Sequence, residues 1–190
     1  MKRVCALLVA LGLAASAAIP SAFASDKFAN KGQIEVGGMI GFSNSTRVTA
    51  GSTGESVSTL DLSPFVGYFL IDQLELGLNL PLTSTSSTKS SSTDYRIILS
   101  PAWNFKIDNS TVTPALAALI GYGSTNSGGS SASGPSYGAR GTVKILVAPQ
   151  SILHVGVEYL LNTRNPSGYS GGRNGNNLVD FEAGFTIVFN

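Results

Sequence analysis

In the stretch Leu74-Glu75-Leu76-Gly77-Leu78-Asn79-Leu80-Pro81-Leu82 every even position is Leu, and every odd position is Glu, Gly, Asn or Pro. A period of two belongs to a β-strand, because successive side chains point to opposite faces. Apolar residues confined to one face mean that the two faces meet different surroundings. The same alternation recurs near residues 33–43, 57–70, 95–106, 111–123, 137–147, 152–162 and 177–189, which with 74–83 predicts eight strands. Ile34, Val36 and Ile40 mark the apolar face of the first, Tyr95, Ile97, Leu99 and Trp103 that of the fourth, and Val179, Phe181, Phe185, Ile187 and Phe189 that of the last. The charged residues test the phase of each strand. Glu35, Asp61, Glu75, Arg96, Lys106, Arg140, Lys144, Glu158, Asp180 and Glu182 all fall on the face opposite the apolar one, as does the only histidine, His154.

Composition narrows what surrounds the apolar face. Only 12% of the 190 residues are charged, whereas a water-soluble surface usually holds about 25–35%. Much of this chain is therefore expected to face something other than water. Twelve Lys and Arg stand against eleven Asp and Glu, which leaves no basic footprint for nucleic acid. Residues 1–24 read as a cleaved secretory signal, with Lys2 and Arg3 leading an apolar stretch and Ala22-Phe23-Ala24 forming the small-x-small cleavage site. The only cysteine, Cys5, lies within that segment. The exported chain is thus expected to have no thiol, disulfide or cysteine metal site, and no cofactor is expected.

Alternation by itself fits either a soluble barrel with a greasy inside or a membrane barrel with a greasy outside. No stretch after the signal is apolar for long enough to cross a bilayer as a helix, so a membrane role has to use strands. Three features select the membrane. Connections alternate between long Ser-, Thr-, Gly- and Asn-rich segments (45–56, 84–94, 124–136 and 163–176) and tight turns at 71–73, 107–110 and 148–151, as in barrels with long outer loops and short periplasmic turns. Aromatic residues of the apolar face gather at strand ends: Phe42, Tyr95, Tyr122, Tyr137 and Tyr159 beside the long connections, and Tyr68, Trp103, Phe105 and Phe189 beside the short ones. Such rings suit the level where headgroups meet hydrocarbon. The even strand count returns both ends to one side. The expected fold is all-β, a transmembrane eight-stranded antiparallel up-and-down β-barrel over 25–190.

Two local motifs carry a family resemblance. Leu62-Ser63-Pro64-Phe65-Val66-Gly67-Tyr68-Phe69, followed by Asp72-Gln73-Leu74-Glu75-Leu76-Gly77, looks like the second hairpin of small outer-membrane barrels of the OmpX/OmpA type. The ending Glu182-x-Gly184-x-x-Ile187-x-Phe189 is similar to the carboxy-terminal signal read by the barrel assembly machinery, although here Asn190 follows the aromatic. The resemblance implies a monomer in the bacterial outer membrane, in contact with lipid and lipopolysaccharide, with long loops extracellular and both termini periplasmic. Pro64, Pro101 and Pro114 lie inside strands, where bulges or interrupted ladders are expected.

Eight strands enclose a space that side chains just fill. Six acids and four bases facing inward need partners, since unpaired charges away from water cost several kcal/mol each. A tight turn at Pro149-Gln150 sets Arg140 opposite Glu158 and Lys144 opposite His154. Glu75 and Lys106 are expected near each other at the short-turn end, with Glu35, Asp180 and Glu182 gathered where the last strand closes on the first. The charged lumen network reads as a structural plug, and a narrow low-conductance channel is the alternative. A lipid-modifying enzyme is the second alternative. It would need His154 as base, but Glu158 lies about 13 Å along the same strand, and no motif places Ser100 or Ser151 beside it. The segments 84–93 and 124–136 read as flexible solvated loops.

Overall fold

A computed structural model describes residues 28–49, 52–87, 91–108, 110–166 and 174–190. The expected signal segment, with Ala22 and Ala24, lies outside the described residues. The chain forms β1 (Ile34–Thr49), β2 (Ser52–Ile71), β3 (Leu74–Asn79), β4 (Leu82–Ser87), β5 (Ser91–Asn104), β6 (Val112–Ser127), β7 (Ser130–Ala148), β8 (Ser151–Pro166) and β9 (Asn174–Phe189). Both β3 and β4 lie between β2 and β5. They are two lengths of one stave, interrupted at Leu80-Pro81 and resuming in the same register. Pro81 has no N–H to give the ladder, while Leu80 N still donates to Pro64 O and Arg96 N to Pro81 O. Nine segments thus fill eight antiparallel staves, and β9 returns to pair with β1. This is the expected closed eight-stranded barrel.

The faces are inside-out relative to a water-soluble protein. Ile120 is 64% exposed on the outside, whereas Glu35 is 0% exposed in the lumen. Tyr68, Ile34 and Phe189 stand in one row across β2, β1 and β9 at the end that carries the short turns. Tyr122, Tyr137 and Tyr159 lie exposed toward the other end. The side chain of Phe42 is outside the described residues.

Three expectations are corrected. Where they are described, the long connections are largely strand: β6 and β7 stay paired to Ser127 opposite Ser130 and turn through Gly128-Gly129 alone, whose φ values of 56° and 83° suit the tight hairpin turn that matches strand twist. Residues 84–87, 91–93 and 124–136 therefore extend the barrel as paired strand rather than forming loose loops. One of the two outcomes expected at the interior prolines is met at Pro101, where pairing between β5 and β6 lapses at Ser100-Pro101 and resumes at Ala102 in the same register, while Pro64 keeps Gly38 and Pro114 keeps Val143 as ladder partners. Register shifts fall instead at Thr46/Val48, Phe69/Ile71 and Leu146/Ala148, near strand ends. The other two corrections, to the partner of Lys106 and to the gathering of Glu35, Asp180 and Glu182, concern the lumen and follow below.

Closure is uneven along the barrel. β1 and β9 pair from Ile34 opposite Phe189 to Met39 opposite Gly184. Beyond that point Ile40–Thr49 pair only with β2, and Asn174–Ala183 only with β8. Toward the hairpin end the two strands part and leave a seam.

Candidate functional site

The lumen is stopped at the turn end by residues 28–33, which fold across it. Gly32 N donates to Phe69 O (2.8 Å), Phe69 N to Gln33 O (3.0 Å) and Gln73 N to Ala29 O (2.9 Å). Lys31 N donates to Asp72 Oδ1 (2.8 Å), and Gln33 Nε2 to Asn190 Oδ1 (2.7 Å). These bonds seat Phe28 and Ala29 among Phe69, Leu146, Ile152 and Val188, all buried. The Phe28 and Phe69 rings meet edge to face, with centroids 5.5 Å apart, a favoured aromatic arrangement. This apolar floor was missed in the sequence, although its signal was present: Phe69, Leu146, Ile152 and Val188 share the inward parity of the charged residues.

Lys144 lies against the floor, its Nζ 5.3 Å from the Phe28 ring centroid. It donates to Glu35 Oε2 (2.8 Å) and Glu75 Oε2 (2.6 Å). Asn104 Nδ2 reaches the same Glu75 oxygen at 3.2 Å. Glu35, Glu75 and Asn104 are fully buried. The other Glu75 oxygen packs against the Cα of Gly67, where an added Cβ would fall on the carboxylate and against the Phe65 ring. Lys106, expected beside Glu75, turns away instead and donates to Asn30 Oδ1 at 2.6 Å. It lies beyond the end of β5, within reach of the strap rather than of the lumen.

His154 does lie opposite Lys144 in the register. Its Nε2 is 2.7 Å from Glu35 Oε1 and 2.7 Å from Thr186 Oγ1, and Thr186 Oγ1 donates to the same Glu35 oxygen. An acid thus contacts His154, which the sequence did not indicate. A hydrolytic relay places acid and nucleophile on opposite ring nitrogens, whereas here both gather at Nε2.

A second layer centres on Arg140. It stands opposite Glu158 with Nη1 4.0 Å from Oε2, and its closer carboxylate is Glu182, at 3.3 Å. Asn79 Oδ1 accepts from both terminal nitrogens, and Asn79 Nδ2 donates to Ser100 Oγ (2.8 Å). The space between this layer and Lys144 is a cavity of about 40 Å3. The three acids expected to gather at the closure are divided instead, Glu35 near the floor and Glu182 with Asp180 higher up.

Toward the hairpins the lumen widens into a vestibule of about 590 Å3, lined by Asp61, Asp94, Arg96, Glu158, Arg164 and Asp180 among others. Asp94 holds both Arg96 (2.9 Å) and Arg164 (3.5 Å) and accepts from Thr125 Oγ1 (2.5 Å). Arg164 also donates to Ser136 Oγ (3.2 Å). A separate apolar cluster of Ile98, Ala102, Ala117, Leu119 and Leu160 packs against the inner wall. The end motif occupies β9, whose Phe189 pairs with Ile34.

This inside-out, eight-staved geometry is that of the small outer-membrane barrels. The structure is similar to that of Neisserial surface protein A, NspA, with a TM-score of 0.62, 18% identity, and coverage of 83% of this chain and 97% of that one. It is also similar to the outer membrane protein OprG from Pseudomonas aeruginosa, with a TM-score of 0.55, 13% identity, and coverage of 86% and 98%. Both are eight-stranded outer-membrane barrels. No protein-family model matches the sequence, and no curated protein matches it significantly.

Proposed function

We propose that the protein is a bacterial outer-membrane barrel with a structural or surface-interaction role, its lumen closed by the charged network. The observation that carries this reading is the stopper at the turn end. Phe28, Ala29 and Phe69 fill the bore, Lys144 bridges Glu35 and Glu75 directly above, and the space beyond is about 40 Å3. That is room for a few water molecules, and for no larger solute. A belt of exposed Leu, Ile, Val and aromatic side chains suits outer-membrane lipid and lipopolysaccharide. In this reading the hairpins are extracellular, both termini are periplasmic, and the monomer reaches the membrane through the assembly machinery by way of Glu182, Gly184, Ile187 and Phe189. The signal segment ending at Ala22-Phe23-Ala24 exports it.

The plug is tested by recordings in planar bilayers. Native protein is expected to show no steady openings, and Arg140→Ala or Glu158→Ala should add none while Lys144 and the floor remain. Steady native openings altered by either substitution would overturn the plug. They would favour the second reading, a narrow low-conductance channel, whose support is the wide vestibule. Sedimentation of native membranes tests the location, with the outer-membrane fraction expected to hold the protein.

A further inference from the structure

The stopper at the turn end is joined to the wall by a hinge. Residues 32 and 33 continue the pairing of β1 with β2, since Gly32 N donates to Phe69 O and Phe69 N to Gln33 O. Residues 28–31, which precede that ladder, cross the bore instead. The chain changes course in a turn where Gln33 N donates to Asn30 O (3.2 Å), with Gly32 in its third position at a φ of 88°. Such a position favours glycine, and Gly32 is exposed, with open space where a Cβ would stand. The crossing segment is held at the rim of the barrel: Gln73 N donates to Ala29 O (2.9 Å), Lys31 N to Asp72 Oδ1 (2.8 Å) and Lys106 Nζ to Asn30 Oδ1 (2.6 Å). Asp72, Gln73 and Lys106 all lie outside the strands, so undoing these contacts breaks no ladder. Backbone strain falls at the same place. Among the described residues only Ala29, at a φ of 58°, and Gln73, at 72°, combine a side chain with left-handed backbone, and the first of these hydrogen bonds joins them. Residues of this kind persist only where their surroundings impose the conformation, and they gather at clamps and switches.

We propose that residues 28–31 form a flap that turns about Gly32 and unseats from the mouth of the barrel while the wall stays closed. The inference rests on the reading of the lumen as plugged and gives that plug a moving part. Seated, Phe28 and Ala29 cover the inward apolar ring of Phe69, Leu146, Ile152 and Val188. Unseated, the flap bares that ring and lets water reach Lys144, whose Nζ lies 5.3 Å from the Phe28 ring centroid. Release returns Ala29 to ordinary backbone, and at the solvent-exposed bond from Lys31 N to Asp72 water replaces the lost partner. Local opening of this kind leaves the surrounding ladders intact.

The test begins with amide hydrogen exchange of the native barrel in lipid nanodiscs. The Gln73 and Lys31 amides, which bond across the flap contact, are expected to exchange about tenfold faster or more than those of Phe69 and Leu146, which bond within the wall. The second measurement labels Ile152→Cys, a position fully buried under the flap, in a chain that from residue 25 on has no cysteine of its own. A polymer-linked maleimide is too large for the cavity of about 40 Å3 above and has to enter through the mouth. Gly32→Ala, which forces a side chain into left-handed backbone only while the flap is seated, should speed labelling by about fivefold or more. Asp72→Ala with Lys106→Ala should speed it as well. Exchange at Gln73 as slow as at Phe69, or labelling that neither variant speeds, would overturn the flap. A lowered urea midpoint for Gly32→Ala without faster labelling would show that the segment opens only with the whole barrel, which also overturns it. Steady native openings in planar bilayers would instead overturn the plugged lumen on which the flap rests.

Discussion

At the turn end of the barrel, Lys144 is held between Glu35 and Glu75, the strap of residues 28–33 crosses the bore, and every stave is paired with its neighbours. At the hairpin end, Asp61 and Asp180 face a vestibule of about 590 Å3, and β1 has parted from β9. The same alternation of apolar and polar residues runs through both halves, so patterning alone does not set the difference. What differs is how the inward positions are filled. Near the turns, large apolar groups and a lysine shared by two acids occupy the space. Near the hairpins, acids outnumber their cations and the wall is open on one side. A closed lumen here is thus a property of one end.

The comparison breaks first at Lys144. Lys144→Ala leaves two buried carboxylates without their cation, a loss expected to cost about 3–5 kcal/mol. It should appear as a large drop in the urea midpoint of the native-to-unfolded gel shift. Removing the floor comes next. Phe28→Ala deletes a buried ring, for which the lower end of the usual range, about 3 kcal/mol, is expected at a strap that can lift away. It should also raise bilayer conductance, which Lys144→Ala with Glu35→Gln and Glu75→Gln would test separately. Gly67→Ala pushes a methyl group into the Glu75 carboxylate and the Phe65 ring, and overpacking of this kind costs about 1–3 kcal/mol. The smallest effect belongs to the hairpin end. Phe181→Leu, at a side chain with almost no protein neighbours, should change stability by no more than about 0.5 kcal/mol. A midpoint that falls as far for Phe181→Leu as for Phe28→Ala would erase the distinction between the two ends.

The barrel and the phase of its staves were legible because lipid on one side and a polar lumen on the other impose a strict period of two. The Arg140–Glu158 juxtaposition was legible for a related reason, since one tight turn fixes the register of a whole hairpin. Above the lipid both faces meet water, the alternation disappears, and Ser124 to Ser133 read as loop although it is paired almost throughout. The strap at residues 28–33 has no period at all. The Lys144–Glu35 and Lys144–Glu75 bridges join strands that are not neighbours and cross the bore, so no count along a hairpin finds them. Height along the barrel alone puts Lys106 near Glu75, but β5 ends at Asn104, so the lysine leaves the wall and reaches Asn30.

Every ladder but one joins staves adjacent in sequence, so each of those ladders can zip outward from its own turn at little entropic cost. The exception joins the two ends of the chain, Ile34–Met39 against Gly184–Phe189, and contacts of such long sequence separation form late. The short clasp, tied down by Gln33 and Asn190, is therefore the last seam to form as the barrel folds and the first place where tension would split it. Splitting would start at the hairpin end, where the ladder is already undone.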